Sequence, residues 1–186
     1  MEKSDELLIE EFLDKNQGSF EFLLKRYTPS IFNYTARFAG HDNANDLTQE
    51  IFIKVWKNLN KFNIKKAHFK TWLFTIARNT ITDFQRKKKM IIFSALDKED
   101  EIFADNIEDT VVLHDEALSK LEDKELLNSL LDQIPPHYRE VLILYYQEEM
   151  TFKEIGELLS KPLNTVKSYH YRALLKLKEM MKEKLI

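Results

Sequence analysis

Apolar residues recur at spacings of three and four along most of the chain, and this spacing predicts helices rather than strands. The first long segment extends from Ser19 to Arg37, and Pro29 lies inside it, where proline can bend a helix. Its apolar stripe consists of Phe20, Leu23, Leu24, Tyr27, Ile31, Tyr34 and Phe38. We therefore expect an amphipathic helix here, which ends where Gly40 and His41 break the pattern.

A second helix is predicted after the polar residues 42–45, which supply candidate N-caps. Its apolar residues follow at strict four-residue steps, so the core stripe is narrow and consists of Leu47, Ile51, Val55 and Leu59. The side chains left on other faces include Gln49, Glu50, Ile53 and Lys54.

The segment from residue 60 to residue 68 is polar and basic without a period, and it is predicted to be a loop. Thr71 then opens a third helix, whose core face consists of Leu73, Ile76, Ala77, Ile81 and Phe84. The other face carries Arg78, Asn79, Arg86 and the run Lys87, Lys88 and Lys89. Trp72 and Phe74 have the chemistry to stack on bases. Aromatic residues in a helical stripe are usually core, so neither is assigned a base contact.

The chain changes character after Met90, because residues 94–116 are rich in Asp and Glu and carry no sustained stripe. Helical spacing resumes at Leu118 and continues to Leu131, stops at the two prolines 135 and 136, and restarts over residues 138–147. The sequence therefore predicts an all-α protein. Two small helical domains, residues 1–92 and 118–186, are joined by an acidic linker at residues 93–117.

The C-terminal part has the spacing of a helix-turn-helix. Thr151 and Glu154 form a capping box that opens a short helix ending at Leu159, and a longer helix is predicted from Leu163 to Met181 after a turn. The motif needs a small residue where the helices cross, a tight turn and a branched apolar residue beyond it, places held here by Gly156, Ser160 and Val166.

The longer helix has two faces of different chemistry. At 100° per residue, its inward face consists of Val166, His170, Ala173 and Leu177. The outward face carries Asn164, Lys167, Ser168, Tyr171 and Arg172, which are residue types that read base edges and bind phosphates. A helical hairpin in a bundle, with a merely solvated basic face, is the alternative.

Charge supports a polyanion partner more than the net value of -3 suggests. Residues 54–89 carry a net charge of +10 and residues 161–186 one of +5, whereas residues 90–116 carry -8. Two basic blocks indicate two contacts with a nucleic acid, since phosphate neutralisation supplies most non-specific affinity. Solvated lysine-rich faces are the other explanation.

Composition excludes several kinds of site and segment. The chain has no Cys and five scattered His, so neither a disulfide framework nor a metal-ligand cluster is expected, and no cofactor is predicted. The amino terminus is acidic and lacks the pattern of a signal peptide, and the longest apolar run, residues 141–146, is too short for a bilayer. We therefore expect a cytoplasmic protein.

Three stretches, in this order, resemble the bacterial sigma factors of RNA polymerase, specifically the extracytoplasmic-function (ECF) group of the sigma-70 family. Residues 46–59, DLTQEIFIKVWKNL, resemble the helix that binds the polymerase clamp. Residues 69–89, FKTWLFTIARNTITDFQRKKK, resemble the segment for promoter melting and start-proximal recognition. Residues 134–178 resemble the C-terminal helix-turn-helix domain that recognises the upstream promoter element.

The resemblance implies a sigma factor that binds core RNA polymerase, recognises promoter DNA, melts it and starts transcription. It also implies that the protein has an anti-sigma factor as a partner and that it has no enzymatic activity. The implied polymerase contacts are Asp46, Leu47, Gln49, Glu50 and Lys54. The implied contacts to start-proximal DNA, duplex and single-stranded, are Lys65, Lys66, Lys70, Arg78, Asn79, Arg86, Lys87, Lys88 and Lys89. The implied contacts to the upstream element are Asn164, Thr165, Lys167, Ser168, Tyr171 and Arg172.

Two departures bear on base preference. Asn164 and Tyr169 stand where family members usually have Gly and Arg, and residues 65–67 replace a Gly and Ser pair that is typical of the family. The base preferences at both promoter elements are therefore not carried over.

Three other classes of protein remain as alternatives. A helix-turn-helix regulator would bind its own palindromic operator without polymerase. A helical scaffold would bind acidic proteins with little dependence on salt. An enzyme is the least expected of the three, since the sequence has no Ser/His/Asp arrangement and no glycine-rich phosphate loop.

Overall fold

The structure, a computed structural model, describes residues 3–93 and 124–184. Its α-helices are α1 (Asp5–Leu13), α2 (Gly18–Ala39), α3 (His41–Asn58), α4 (Phe69–Phe93), α5 (Lys124–Asp132), α6 (Pro136–Leu142), α7 (Phe152–Leu159) and α8 (Leu163–Lys184). A 3-10 turn, Leu59–Lys61, follows α3, and a π-helical turn, Ile143–Gln147, follows α6. No strand occurs in these two ranges, and the predicted all-α fold is confirmed.

The helices form two compact units, an N-terminal unit containing α1 to α4 and a C-terminal unit containing α5 to α8. Helix α4 runs to Phe93, one residue beyond the predicted end of the first domain. Residues 94–123, with nearly all of the predicted linker and the helix start predicted at Leu118, lie outside the described residues. The domain boundaries therefore stay a prediction.

Helix α2 is the central helix of the N-terminal unit and forms where its apolar stripe predicts. The buried members of that stripe are Phe20, Leu23, Tyr27, Ile31 and Tyr34. Pro29 lies inside the helix on its exposed side, where it faces no neighbouring core residue. The amphipathic pattern alone is thus sufficient to place this helix against the core.

The corner between α2 and α3 differs from the prediction. Helix α3 begins at His41, so none of the polar residues 42–45 is its N-cap, and Gly40 holds that position. Gly40 has φ 86°, a conformation that residues with a Cβ rarely adopt, and the chain turns there within one residue. Asn43, one of the predicted N-caps, donates from Nδ2 to the carbonyl of Ala39 at 2.8 Å and caps the end of α2 instead.

Helix α4 begins at Phe69, two residues before the predicted start at Thr71. Phe69 is buried, and its ring lies 5.6 Å from that of Tyr27 and 5.7 Å from that of Phe62. These contacts anchor the first residue of the helix in the core. The predicted core residues Ile76 and Phe84 are only partly buried, whereas Phe74 is fully buried.

Helix α1 is held on α2 by paired polar groups. Ser4 caps the helix by accepting from the backbone N–H of Leu7 at 3.3 Å. The carboxylate of Asp5 accepts hydrogen bonds from the guanidinium of Arg26 and from the hydroxyl of Tyr27. Burial, and then the hydrogen bond to Asp5, raise the pKa of Tyr27. Leu8 and Ile9 are buried beneath these contacts, so α1 is part of the folded unit.

We expect Asp5→Asn to lower the stability of the N-terminal unit by about 1 kcal/mol, because the change removes a charge-assisted pair between largely buried groups. Trp56 and Trp72, the two tryptophans of the chain, both lie in this unit, so urea unfolding followed by tryptophan fluorescence reports on it. The control is Glu21→Gln, which breaks an exposed pair with Lys25 and should leave the midpoint unchanged. Equal midpoint shifts for both variants would contradict the role of Asp5.

The C-terminal unit packs α5, α6 and α8 around one apolar cluster. Its buried members are Leu130, Leu131, Ile134, Leu142, Ala173 and Leu177. The first helix stops before the prolines as predicted, since α5 ends at Asp132, but α6 begins at Pro136, two residues before the predicted restart at residue 138, because proline fits the first position of a helix. The π-helical turn, Ile143–Gln147, was predicted as ordinary helix and connects α6 to the helix-turn-helix.

None of the described helices has the length and apolarity that a bilayer-crossing segment requires.

Candidate nucleic-acid and polymerase interfaces

Helix α3 turns a polar surface outward, opposite its buried stripe. All four predicted stripe residues are buried: Leu47, Ile51, Val55 and Leu59. Of the residues that the resemblance assigns to polymerase, Asp46, Gln49 and Glu50 are exposed and Lys54 is partly exposed. Leu47 is the fifth of that set, and its side chain lies in the core rather than on the surface.

Lys54 connects this surface to α4. Its ammonium pairs with Glu50, one turn earlier, at 2.7 Å and donates to the hydroxyl of Thr80 at 3.1 Å. Thr80 is buried in α4, and its hydroxyl lies 2.8 Å from the carbonyl of Ile76. Lys54 therefore holds α3 and α4 together as well as carrying charge.

Two large apolar side chains lie on the outer side of α3: Ile53, which the sequence pattern places off the core stripe, and Trp56, which the sequence pattern leaves unassigned. Ile53 is 49% exposed and Trp56 is 52% exposed. The ring of Trp56 lies 6.1 Å from that of Phe20. Both residues lie outside the four-residue steps of the core stripe, and this position is the feature of the sequence that indicates their exposure.

Helix α4 and the loop before it carry the basic surface. Lys65 and Lys66 are exposed in the loop, where the Asn63 side chain accepts from the backbone N–H of Lys65 at 2.9 Å. On the helix, Asn79 and the run from residue 86 to residue 89 are exposed. Arg86 pairs with Asp83 at 3.1 Å. Asn79 and Arg86 lie on the face opposite Leu73 and Ala77, which are buried, whereas the following lysines, which are exposed, surround the helix.

Lys70 and Arg78 are less exposed than the rest of this set, since both side chains are partly buried. The ammonium of Lys70 lies 6.0 Å above the ring of Phe74, a cation–π distance. Phe74 is a core residue, as the sequence analysis expected.

An aromatic cluster supports the base of the loop. The ring of Trp72 lies 5.2 Å from that of Phe62 and 5.9 Å from that of Phe69. Trp72 and Phe62 are partly exposed, whereas Phe69 is buried. The loop that carries Lys65 and Lys66 therefore rests on packed rings.

The helix-turn-helix forms as the sequence predicts. Thr151 and Glu154 make a reciprocal capping box at the start of α7. Ser160 ends that helix in the left-handed conformation, with φ 53°. A Cβ on Gly156 would lie 2.9 Å from the carbonyl oxygen of Lys161 and 3.8 Å from Cγ2 of Val166, so the crossing requires glycine.

The two faces of α8 also follow the prediction. Val166, Ala173 and Leu177 are buried. His170, predicted to face inward, is half-buried among rings, and its Nε2 lies 3.1 Å from the hydroxyl of Tyr146.

The candidate DNA-binding residues of α8 differ in exposure. Asn164 and Lys167 are exposed, and the partly exposed members are Thr165, Ser168, Tyr171 and Arg172. Arg172 is engaged within the protein, because its Nη1 donates to the hydroxyl of Tyr138 at 3.2 Å.

Across residues 3–93 and 124–184, no group of three or more Asp, Glu or His side chains is arranged to hold a metal ion.

Comparison with known proteins identifies the family. The family model of sigma-70 region 2 matches residues 23–90, and that of sigma-70 region 4 matches residues 124–177. The ECF RNA polymerase sigma factor SigW of Bacillus subtilis is 30% identical over 177 residues, which cover 90% of this chain and 91% of that protein. The chain belongs to the ECF sigma factors of the sigma-70 family.

Other relatives also match this sigma factor over most of its length. The ECF RNA polymerase sigma-E factor of Escherichia coli K12 is 27% identical over 175 residues, which cover 91% of this chain and 90% of that one. The solved structure of CnrH in complex with the cytosolic domain of CnrY has a TM-score of 0.69 at 21% identity, covering 97% and 99% of the two chains. That of RpoE with the anti-sigma factor NepR from Bartonella quintana has a TM-score of 0.67 at 24% identity, covering 88% and 96%. Both structures share the fold.

The candidate surfaces of the sigma factor fall inside the matched regions. The outer faces of α3 and α4 belong to the region 2 match, and the helix-turn-helix belongs to the region 4 match. Helix α1 precedes the region 2 match. Sigma factors are regulatory subunits of RNA polymerase.

Proposed function

We propose that three surfaces of this sigma factor divide the work of initiation. The outer face of α3 binds core RNA polymerase, the basic face of α4 binds the start-proximal promoter element, and the outer face of α8 binds the upstream element. As a sigma factor, the chain directs RNA polymerase to promoters for transcription initiation. The division is supported above all by one observation: each of the three helices buries most of its apolar stripe and turns a distinct set of side chains outward, mixed polar and apolar on α3, basic on α4 and polar with one lysine and one arginine on α8.

The polymerase surface combines charge with exposed apolar area. Its polar members are Asp46, Gln49, Glu50 and Lys54. Ile53 and Trp56 lie on the same helix and supply the large apolar side chains on which stable interfaces depend. Leu47 supports this surface from beneath, because it is buried.

The start-proximal surface is basic enough to bind an opened strand. Residues 54–89 carry a net charge of +10, which lets them neutralise several phosphates. The proposed contacts are Lys65, Lys66, Lys70, Arg78, Asn79, Arg86, Lys87, Lys88 and Lys89. Extruding a base costs a few kcal/mol, and capture of the displaced strand by these cations offsets that cost and favours melting.

The upstream surface is the outer face of α8, which a helix-turn-helix places in the major groove. Its proposed contacts are Asn164, Thr165, Lys167, Ser168, Tyr171 and Arg172. The exposed residues Asn164 and Lys167 lie in the first two turns, the part of a recognition helix that meets base edges.

The two DNA-binding units gain avidity only when both are engaged together. We propose that polymerase sets their separation to match the spacing of the promoter elements, with residues 93–117 as an acidic linker between domains at residues 1–92 and 118–186. Without polymerase, the sigma factor then binds DNA weakly, because the two units are not held at the spacing at which both can bind together.

A protein inhibitor is the second proposed partner. RpoE and CnrH, which share the fold, were solved in complex with NepR and with the cytosolic domain of CnrY. An anti-sigma protein that covers one of the proposed surfaces would keep this sigma factor from polymerase or from promoter DNA. We place the protein in the cytoplasm, where bacterial polymerase works, and we assign it no enzymatic activity and no cofactor.

The proposed function is tested by reconstitution. The full chain is combined with bacterial core RNA polymerase and a library of duplex promoters randomised at both elements, and transcript 5′ ends are sequenced. We expect a set of start sites that share two elements at a fixed spacing and that are absent when the chain is omitted. Tight binding of the isolated chain to a palindromic operator, without new start sites, would instead identify an independent regulator.

A further inference from the structure

A second element contacts the recognition helix beside its outer face. Tyr138 lies in the first turn of α6, and its hydroxyl accepts a hydrogen bond from Nη1 of Arg172 at 3.2 Å. The bond is partly buried and joins residues 34 positions apart in the sequence. A side chain assigned to DNA is therefore held by a group from another helix.

The ring of Tyr138 is itself fixed on several sides. It lies 4.2 Å from the ring of His137 and 5.4 Å from that of Tyr169, both in edge-on geometry. It also packs against the apolar cluster that contains Leu130 and Ala173. Because the ring has little freedom to turn, the position of its hydroxyl is defined.

We propose that Tyr138 is a positioning residue for Arg172: its hydroxyl orients the guanidinium for a two-bond contact with a base edge of the upstream element. The guanidinium is a rigid planar fork with five N–H donors, so holding Nη1 together with the Arg172 side-chain stem narrows the orientations in which the other donors are presented. In the major groove, the edge that offers two acceptors to such a fork is that of guanine. This inference rests on the proposed role of α8 in binding the upstream element.

The benefit of this bond is preorganisation. A long arginine side chain loses much rotamer freedom when it binds, and a partner that already holds it in the free protein lowers that loss. Tyr169 contributes to the same arrangement from one turn before Arg172, because its ring also packs on His137 at 5.0 Å. The residue that departs from the family's usual arginine thus provides an aromatic surface instead of a charge.

The test uses the full chain with core RNA polymerase and a duplex promoter library randomised in the upstream element. Tyr138→Phe keeps the ring and removes the hydroxyl, so the packing is retained. We expect about fivefold less transcript from promoters with the preferred base at one position, and a weaker preference at that position alone. Tyr145→Phe is the control, since its ring packs on Tyr146, Phe152 and the inward-facing His170 rather than on Tyr169, and it should leave the preference unchanged.

A double mutant shows whether Tyr138 acts through Arg172. We expect Arg172→Ala to remove the same base preference and Tyr138→Phe to add nothing in that background. Three results would each overturn the inference: an equal loss at all sequences, no change, or tighter binding by the Tyr138 variant. Lys167→Ala separates a failure of this inference from a failure of the proposed function. If Lys167→Ala leaves promoter use unchanged, α8 is not part of the DNA interface and the proposed function of this helix fails as well.

Discussion

Replacing Gly156 with valine is expected to destabilise the C-terminal unit strongly. A Cβ at this position would lie 2.9 Å from the backbone oxygen of Lys161, and backbone cannot move aside as a flexible side chain can. The N–H of Lys161 also donates to the carbonyl of Gly156 at 2.9 Å, so separating the two strains the turn on which α8 depends. We expect a loss of about 3 kcal/mol, a large part of the stability of a small domain.

Circular dichroism and tryptophan fluorescence separate the two units in this experiment. Both tryptophans lie in the N-terminal unit, so their unfolding transition should stay unchanged while part of the helical signal is lost at lower temperature. Gly18→Val is the matched control, because a Cβ there would lie 3.4 Å from a side-chain atom of Asn16, an ordinary contact. A Gly156→Val protein that melts like the parent would show that the helix crossing tolerates a side chain.

Charge reversal at Glu50 is expected to weaken association with core RNA polymerase about thirtyfold. Glu50 is exposed on the outer face of α3, and in the proposed interface its carboxylate meets a cationic group of the polymerase, which lysine at this position would oppose. Juxtaposed like charges in an interface cost about 2 kcal/mol or more, which corresponds to this factor. The measurement is the dissociation constant of the full chain for core enzyme at fixed salt.

Glu21→Lys is the control for non-specific electrostatics. Glu21 pairs with Lys25 at 2.9 Å with the same four-residue spacing, but it lies on α2. Both variants change the net charge equally, so only a specific contact distinguishes them. Equal weakening by both variants, or wild-type affinity for the Glu50 variant, would remove α3 from the proposed polymerase surface.

Features that depend on local sequence were predictable. The capping box of Thr151 and Glu154, the left-handed turn at Ser160 and the buried stripe of α3 all follow from residues within one or two turns of each other. The outward faces of α3, α4 and α8 were also predictable, because helical periodicity places on the outside the side chains that do not belong to the core stripe.

Features that depend on packing between elements were not predictable. Helix α3 starts at His41 because Gly40 turns the chain, and α4 starts at Phe69 because its ring enters a cluster with Tyr27 and Phe62. Spacing along one helix does not encode the hydrogen bond from Arg172 to Tyr138, which joins distant segments. The π-helical turn, Ile143–Gln147, likewise keeps the apolar pattern of an ordinary helix.

The candidate site shows the same division in its apolar residues. Leu47 is buried and Ile53 is about half exposed, as their positions on and off the predicted core stripe of α3 indicate. Trp56 is also about half exposed, although a large apolar side chain is usually buried, and its place on the surface was not assigned before the packing of α3 was known.

The bond from Lys54 to Thr80 fixes the register of α3 against α4. A slide of one helical turn would carry the two groups about 5.4 Å apart and would also break the fit of the core stripe. We therefore expect α3 and α4 to keep their relative position when a partner binds the outer face of α3.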